Sequence, residues 1–475
     1  MVSRDSVRIC LLVAALNGLD VMCADIENAY LTAPPKEKCW TIAGKEFGEQ
    51  EGQAYIIVRA LYGLKSSGAA FRSHLAQCLD EIGFRTTIAD PDVWIRMNVK
   101  ADGEEYYEYV LVYVDDIMCI SHKAKDTLSE LKQFIRFKKD KIEEPSMYLG
   151  ATLEKKMING SHCWTISSRD YIKNSIDNVE KRLLEQRDLK LCSRAPTPWC
   201  TGYLPEHDTS QELDPKGVTL FQELIGILRW AIELGRVDVY LEVSLLSAYQ
   251  ASPRIGHLEQ LVRIFSYLKK NPKLTLYFDP QLPRLDEAMF HGGDQPQDFQ
   301  ELYRDAKEDI PLMMPRPRGG PIVMTAFVDA SHASNKVTRR SHTGFVIFIN
   351  RAPIYWYSKR QSTVETSTFS SEFISMKTCV EQIIAIRYKL RMFGIRVDGP
   401  ANVLCDNQSC VNNATKVDST LNKKHCSLAY HFVRHSVAAG IIRVGKIHTT
   451  DNLADALTKV LTRNQRESLF GDWTY

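Results

Sequence analysis

Two adjacent aspartates, Asp115 and Asp116, follow Tyr113 and Val114 and stand between an apolar and aromatic run, 106–114, and a second apolar run, 117–120. Flanked this way, the pair reads as the tight turn of a strand–turn–strand unit. Neighbours within a straight strand point to opposite faces, whereas a turn presents both carboxylates at one tip. Two carboxylates so held repel unless they are protonated or a cation lies between them. Divalent magnesium, a hard ion that takes oxygen ligands, answers that demand. The pair also has an ordinary explanation, since Asp favours turns for backbone reasons. A third acid, Asp25, ends another short apolar segment, 20–25. Three acids from two strands would hold two metal ions about 4 Å apart, the arrangement used for in-line phosphoryl transfer.

The C-terminal third offers a second set. Asp329 ends a predicted strand, 323–328. Glu372 begins a predicted helix, 371–393. Asp406 ends a predicted strand, 402–405, and Asp455 lies in a helical segment, 452–459. Each has a cheaper reading on its own. Glu372 favours the helix dipole, Asp406 with Asn407 suits a turn or an N-cap, and Asp455 suits an exposed helix face. Acids at strand ends can also converge on one edge of a sheet, where they would bind metal.

The elements that must position these acids are legible as patterns. Apolar residues at helical spacing predict a helix over 71–82, closed by Gly83. Asp90, Pro91 and Asp92 make a turn before a strand at 93–97. Residues 126–137, 170–187 and 218–270 read as helical, with Leu224, Leu228, Ala231 and Ile232 on one core-facing stripe. Seven of the 19 prolines fall in 280–321, which reads as a semi-extended linker. A second domain opens near Ile322, with further strands at 344–349 and 354–357.

A chain of 475 residues should hold two to four domains. Hydrophobic content of 44% and charged content of 25% are those of an ordinary globular protein. A net charge of +2 excludes a chain basic throughout but not a local nucleic-acid surface. Candidate patches are Lys132, Arg136, Lys138, Lys139 and Lys141, then Lys336, Arg339 and Arg340, then Lys423 and Lys424; a solvated face explains each equally well. The 12 cysteines show no zinc or disulfide spacing, Cys23 and Cys119 read as buried thiols, and the usage fits a reducing compartment. No signal peptide and no bilayer-spanning window is evident, so no membrane partner is expected.

In order along the chain, these residues resemble the reverse transcriptase–RNase H part of a copia-type retrotransposon Pol polyprotein. Asp25-Ile26-Glu27-Asn28-Ala29-Tyr30-Leu31 is similar to that family's first catalytic motif, and Ala60-Leu61-Tyr62-Gly63-Leu64-Lys65 to its next block. Ala89-Asp90-Pro91-Asp92-Val93-Trp94, the Asp115–Asp116 motif and Tyr148-Leu149-Gly150 follow. Leu224-Ile225-Gly226 and Arg236-Val237-Asp238-Val239 resemble the segment joining polymerase to nuclease. Val328-Asp329-Ala330, Arg339-Arg340-Ser341-His342-Thr343-Gly344, Trp356-Tyr357-Ser358-Lys359, Ser371-Glu372-Phe373, Cys405-Asp406-Asn407, Lys424-His425, Tyr430-His431-Phe432 and Leu453-Ala454-Asp455 complete the series.

The resemblance implies a mixed α+β and α/β chain. Residues 1–150 would form a polymerase palm with partial fingers, 151–279 a helical thumb and connection, 280–321 the linker, and 322–475 an RNase H-like domain. It implies an RNA-directed DNA polymerase with an attached ribonuclease H. Asp25, Asp115 and Asp116 would bind two magnesium ions for nucleotide addition, and Asp329, Glu372, Asp406 and Asp455 two more for hydrolysis of RNA, with manganese able to replace magnesium. Tyr30 would lie under the incoming sugar and exclude a 2′-hydroxyl, though it also suits plain core; Tyr62, Gly63 and Lys65 would line the nucleotide pocket. The implied partners are an RNA template, a DNA primer, RNA–DNA hybrid and deoxynucleoside triphosphates, in the cytoplasm (a virus-like particle) or the nucleus. Departures from the family pattern are Ser66 to Phe71, Ser331 and Ser427, an N-terminus that begins inside the fingers, and the absence of capsid, protease and integrase parts. They keep two alternatives open: a catalytically impaired nucleic-acid-binding remnant, or a chain active only as RNase H.

Overall fold

The structure, a computed structural model, describes residues 1–158, 160–192, 194–290, 296–299, 301–421 and 426–471. Lys423, Lys424 and His425 of the sequence reading lie outside these. The chain divides into two compact units: Met1–Ser146 with Pro315–Gly319 and Met392–Ile395, and Met147–Met314 with Gly320–Arg391 and Arg396–Tyr475.

Unit 1 runs α1 (Arg4–Asn17), β1 (Asp20–Asp25), α2 (Ala29–Thr32), β2 (Cys39–Ile42), β3 (Ala54–Ile57), α3 (Ser67–Glu81), β4 (Arg85–Thr86), β5 (Val93–Val99), β6 (Glu105–Tyr113), β7 (Asp116–Ser121) and α4 (Ala124–Leu131). Its five-stranded sheet has the order β1-β7-β6-β5-β4 and is antiparallel throughout. The period-two pattern explains both faces. Val110 and Val112 of β6, with Ile117 and Cys119 of β7, share a core with Phe71, Leu75 and Leu79 of α3 and Leu128 and Leu131 of α4. The alternate residues Leu111, Met118 and Ile120 are equally buried. Gly83, at φ +86°, takes the left-handed conformation that ends α3. The helix predicted over 126–137 stops at Leu131. Beyond it, the Arg136 carbonyl accepts from the Glu27 amide at 3.0 Å and Phe137 bridges Ile26. Pairing with the segment after Asp25 therefore replaces the last helical turns.

Unit 2 begins with β8 (Met147–Tyr148), β9 (Ala151–Ile158), β10 (Ser161–Ser167), α5 (Arg169–Arg187), α6 (Pro215–Glu233), α7 (Tyr240–Leu246), α8 (Ile255–Lys270) and β11 (Thr275–Phe278). Strands β11-β10-β9-β8 form one antiparallel sheet. Asp214 caps α6 by accepting from the Gly217 amide at 3.0 Å, with Pro215 at the first helical position. After β12 (Arg318–Ile322) come β13 (Met324–Ser331), β14 (His342–Ile349), β15 (Ala352–Arg360), α9 (Thr368–Met392), β16 (Ile395–Val397), β17 (Ala401–Cys405), α10 (Gln408–Thr415), α11 (Ser427–Ala438), β18 (Ile442–Lys446) and α12 (Arg463–Gly471). The second sheet has the order β15-β14-β13-β17-β18. Its first three strands are antiparallel, and β17 and β18 run parallel to β13. Strand β13 therefore lies mid-sheet with a helical crossover returning to it, and Asp329 sits inside β13 rather than after it. Within 280–321, Phe299 is fully buried and Glu308 pairs with Arg387 at 2.8 Å and Arg391 at 2.5 Å inside unit 2, whereas Pro315–Gly319 belong to unit 1, so the stretch is not one free linker.

The stripe Leu224, Leu228, Ala231 and Ile232 belongs to one core with Val346, Phe348, Trp356, Leu457 and Phe470. Inside unit 2 lies a charged network. Arg236 grips Asp238 with two bonds of 2.8 Å, and Arg466 of α12 donates to Glu242 at 3.0 Å and to the Asp238 carbonyl. Burial raises the Glu242 carboxyl above its ordinary value while Arg466 holds it down. Arg466→Met leaves that acid buried and unpaired, so we expect unit 2 to lose about 3–5 kcal/mol in urea unfolding. Adding Glu242→Gln should recover part of it; a loss under about 1 kcal/mol would contradict the network's role. All twelve cysteines are free thiols. Among the described residues no helix is long and apolar enough to cross a membrane.

Candidate active site

In unit 1, the β6–β7 connection is a two-residue turn, Val114 and Asp115, because Tyr113 pairs with Asp116. Asp116 therefore opens the returning strand rather than sharing the turn. Val114 has φ +57°, a left-handed conformation that costs a β-branched residue about 1–2 kcal/mol. Asp25 is the register partner of Asp116, and the Ile26 amide donates to the Asp115 carbonyl at 2.9 Å. The three acids thus meet at one end of the sheet. Burial raises the Asp116 carboxyl, Asp115 and Asp25 raise it further, and Lys138 opposes them. Lys138 holds the Asp25 carboxylate at 2.9 Å. A nearby cation would relieve this repulsion, so the donor set fits a hard divalent ion. The trio is nonetheless looser than the second cluster. Among the described residues, the sets of three ligand atoms all within 4.8 Å of one another are Glu372, Cys405 and Asp406, and Asp329, Asp406 and Asp455.

Tyr30 is half-buried, with its ring 4.7 Å from that of Tyr62 and 6.1 Å from that of Phe71. Tyr62 and Lys65 are exposed, and Gly63 adopts φ +98°. The structure thus brings Tyr30 and Tyr62 together at the start of α3.

In unit 2, each acid arrives from a different element. Asp329 lies in β13, 1% exposed in its side chain. Glu372 is in the first turns of α9, Asp406 directly follows β17, and Asp455 lies in a 3₁₀ turn, Leu453–Leu457, rather than a regular helix. Val328 pairs with Cys405, which brings Asp406 beside Asp329. Gly344, the register partner of Asp329, lets the 3₁₀ turn approach. A Cβ there would lie 2.5 Å from Thr458 and 2.9 Å from Leu457. Asn452, fully buried, donates to the Val328 carbonyl at 3.0 Å and caps the turn by accepting from Ala454. Ser375 of α9 donates to the Asp329 carbonyl at 2.7 Å.

The electrostatics mark this cluster as short of positive charge. Burial raises Glu372 strongly, and Asp329, Cys405 and Asp406 add to it. Its Oε2 is buried with no hydrogen-bond partner. Burial and then Asp329 push Asp455 up to about 6, with Lys459 opposing. Asp329 is also raised by burial, against Lys459 and a hydrogen bond from Thr458. An orphaned carboxylate oxygen among three further acids fits a divalent cation with oxygen ligands. Sequence reasoning quoted Gly344 and Cys405 only as motif residues and gave no role at the site to them, to Asn452, to Thr458 or to Lys459. Asn452 carried a readable signal as an N-cap; the others depend on convergence in space.

His342 of β14 is buried near this cluster, and its Nε2 lies 2.9 Å from Ser358 Oγ, which donates to the Leu457 carbonyl. Burial, then Arg360, pushes its pKa down to about 3. The folded value lies below the unfolded one, so the unfolded chain takes up the proton first. Stability is full above about pH 6.5 and is lost as pH falls towards 3. Between about pH 7.5 and pH 5 the His342 contribution to stability should fall by about 2 kcal/mol, read as the difference between wild type and His342→Asn across that range, and His342→Asn should change the slope accordingly. An unchanged slope in the variant would contradict the assignment.

Residues 1–185 match the family model described as reverse transcriptase (RNA-dependent DNA polymerase). The retrovirus-related Pol polyprotein from transposon RE1 of Arabidopsis thaliana is 26% identical over 468 residues, which is 98% of this chain and 28% of that protein. The Pol polyprotein from transposon TNT 1-94 of Nicotiana tabacum is 24% identical over 477 residues, 98% of this chain and 32% of that protein. The chain therefore spans less than a third of these relatives' length. A solved RNase H1 in complex with RNA/DNA hybrid is 16% identical, covering 29% of this chain and 93% of its own, with a TM-score of 0.23. A likeness at that score fixes no fold. The strand order is the firmer observation: an antiparallel five-stranded sheet in unit 1 and, in unit 2, three antiparallel strands continued by a parallel pair make a mixed α/β chain. The family resemblance read from the motifs agrees with these comparisons: residues 1–185 match the reverse transcriptase model, and 98% of the chain is similar to part of the Pol polyproteins of transposons RE1 and TNT 1-94.

Proposed function

We propose that this chain copies RNA into DNA at the Asp25, Asp115 and Asp116 cluster and hydrolyses the RNA strand of the resulting hybrid at Asp329, Glu372, Asp406 and Asp455. In this reading, residues 1–150 act as palm and partial fingers, 151–279 as thumb and connection, and 322–475 as the ribonuclease. The observation that carries it is the unit 2 quartet: four acids from four elements, one with an unsatisfied buried oxygen, sharing Asp406 between two tight ligand sets. Magnesium held by these carboxylates would neutralise phosphate charge and acidify the attacking hydroxyl or water.

The protein's own groups have distinct tasks. Asp329, held by Thr458 and by β13, fixes the centre of the quartet. Asp406 joins its two halves. Asp115 and Asp116 are fixed by the hairpin, and Asp25 by its pairing with β7. The Tyr30 ring, tilted against that of Tyr62, is suited to bear on an incoming deoxynucleotide and to exclude a 2′-hydroxyl; Gly63 and Lys65 flank that wall. The partners are an RNA template, a DNA primer, their hybrid and deoxynucleoside triphosphates. The hybrid would be recognised through its 2′-hydroxyls and groove shape.

A second reading has a specific observation behind it. The first trio is looser and Lys138 already engages Asp25, which favours a chain whose ribonuclease outperforms its polymerase. Purified protein given a labelled primer on an RNA template should extend it and shorten the template RNA with magnesium, and both activities should stop with a chelator. Cleavage without extension selects the second reading. Neither activity, in folded protein with magnesium or manganese, contradicts both.

A further inference from the structure

Each acid cluster contains an ammonium of its own. Lys459 Nζ lies 2.7 Å from Asp455 Oδ1 and 3.4 Å from Asp329 Oδ1. Lys138 Nζ stands 2.9 Å from Asp25. In unit 2 the arrangement is built into the chain: the Lys459 amide donates to the Asp455 carbonyl at 2.9 Å, so the turn that delivers the acid delivers the lysine four residues on. Asp329 is almost wholly buried, and a buried carboxylate needs a charge partner. Lys459 is the cation paired with it among the described residues. The Lys459 side chain, 38% exposed, also lines a cavity of about 300 Å³ together with Ser331, His342, Arg360 and Thr458. That space gives the long, flexible stem somewhere to go.

We propose that Lys459 is a tethered counter-ion: its ammonium occupies the quartet's cation seat while no divalent ion is bound and swings towards the neighbouring cavity when one enters. This rests on reading the quartet as a divalent-cation site. The unfilled oxygen of Glu372 supports that reading independently of the lysine, because Lys459 leaves it unpartnered. Two consequences follow from competition between ammonium and ion. Without divalent ions Lys459 stabilises the fold. With them it opposes binding, because entry must break its ion pairs. A lysine that only braced the structure would do the first and not the second.

The test is calorimetric binding of manganese to the full chain carrying Asp115→Asn and Asp116→Asn, which silence the first cluster. In that background Lys459→Met should bind the ion more tightly, by roughly 5- to 100-fold. In chelator its thermal midpoint should fall by about 2–8 °C, and manganese should restore it. Lys377→Met, which removes an exposed ammonium paired with Glu381 at 2.6 Å, should change neither quantity. Lys459→Gln takes the place of Lys459→Met if the latter does not fold. Equal or weaker manganese binding in a folded Lys459 variant overturns the counter-ion inference and leaves the quartet as a cation site. Equal tightening in Lys377→Met also overturns it, since general charge would then explain the effect. No binding in any of these proteins overturns the counter-ion and the cation-site reading together.

Discussion

Asp406→Asn should lower magnesium-dependent cleavage of the RNA strand of a hybrid by about a thousandfold or more, equivalent to about 4 kcal/mol of transition-state stabilisation. Asp406 belongs to both tight ligand sets, one with Glu372 and Cys405 and the other with Asp329 and Asp455. Replacing its carboxylate with an amide removes a charge from both at once. The fold should survive. Asp406 is held through its backbone, whose carbonyl accepts from Lys446, and through the register of β17 between β13 and β18. Circular dichroism and the urea midpoint should therefore stay near wild type while cleavage is lost. A variant that folds and cleaves within about tenfold of wild type would remove Asp406 from the chemistry.

Asp115→Asn should reduce primer extension on RNA by a comparable factor, about a thousandfold or more. Asp115 sits at the turn where Val114 accepts an unfavourable left-handed backbone, and its carbonyl is tied to the Ile26 amide. Such strain persists where surrounding structure over-determines it, here by the pairing of β7 with both β1 and β6. The amide side chain preserves those backbone bonds, so the loss of extension should come without unfolding. A folded variant that still extends at near wild-type rate would leave the turn without a catalytic role.

How far the sequence reached differs between the two clusters. The hairpin around Asp115 and Asp116 was legible because two apolar runs bracket a turn, and the signal is local. In unit 2, β13, β14, β15 and β17 were legible as apolar runs, whereas β9, β10 and β11 fall in the stretch read as a helical thumb and connection and β18 in a C-terminus read as helical. The termini were less so. The helix over 126–137 ends early because Arg136 and Phe137 pair with residues far away in sequence. Asp329 falls inside its strand because β13 continues to Ser331 against His342 of β14. Lys459 was invisible as a partner of Asp329, since the two are 130 residues apart and no periodicity links them. Gly344 was legible as a motif glycine but not as the gap that admits the turn bearing Asp455. Lys138 read as one of a basic patch, yet in the structure it answers Asp25, while Lys132 pairs with Asp140 and Lys141 with Glu143. That patch is spent largely on neighbouring acids, which local charge counting does not reveal.

The central claim is that two separate acid clusters perform two separate phosphoryl transfers. One reaction tests it most directly: a DNA primer on an RNA template, each strand with its own label, incubated with deoxynucleoside triphosphates and magnesium. Asp406→Asn should lengthen the primer while leaving the RNA intact, and Asp115→Asn should cut the RNA of a preformed hybrid while leaving the primer unextended. If either substitution abolishes both activities in folded protein, or if neither alters its own, the two clusters do not divide the chemistry in this way.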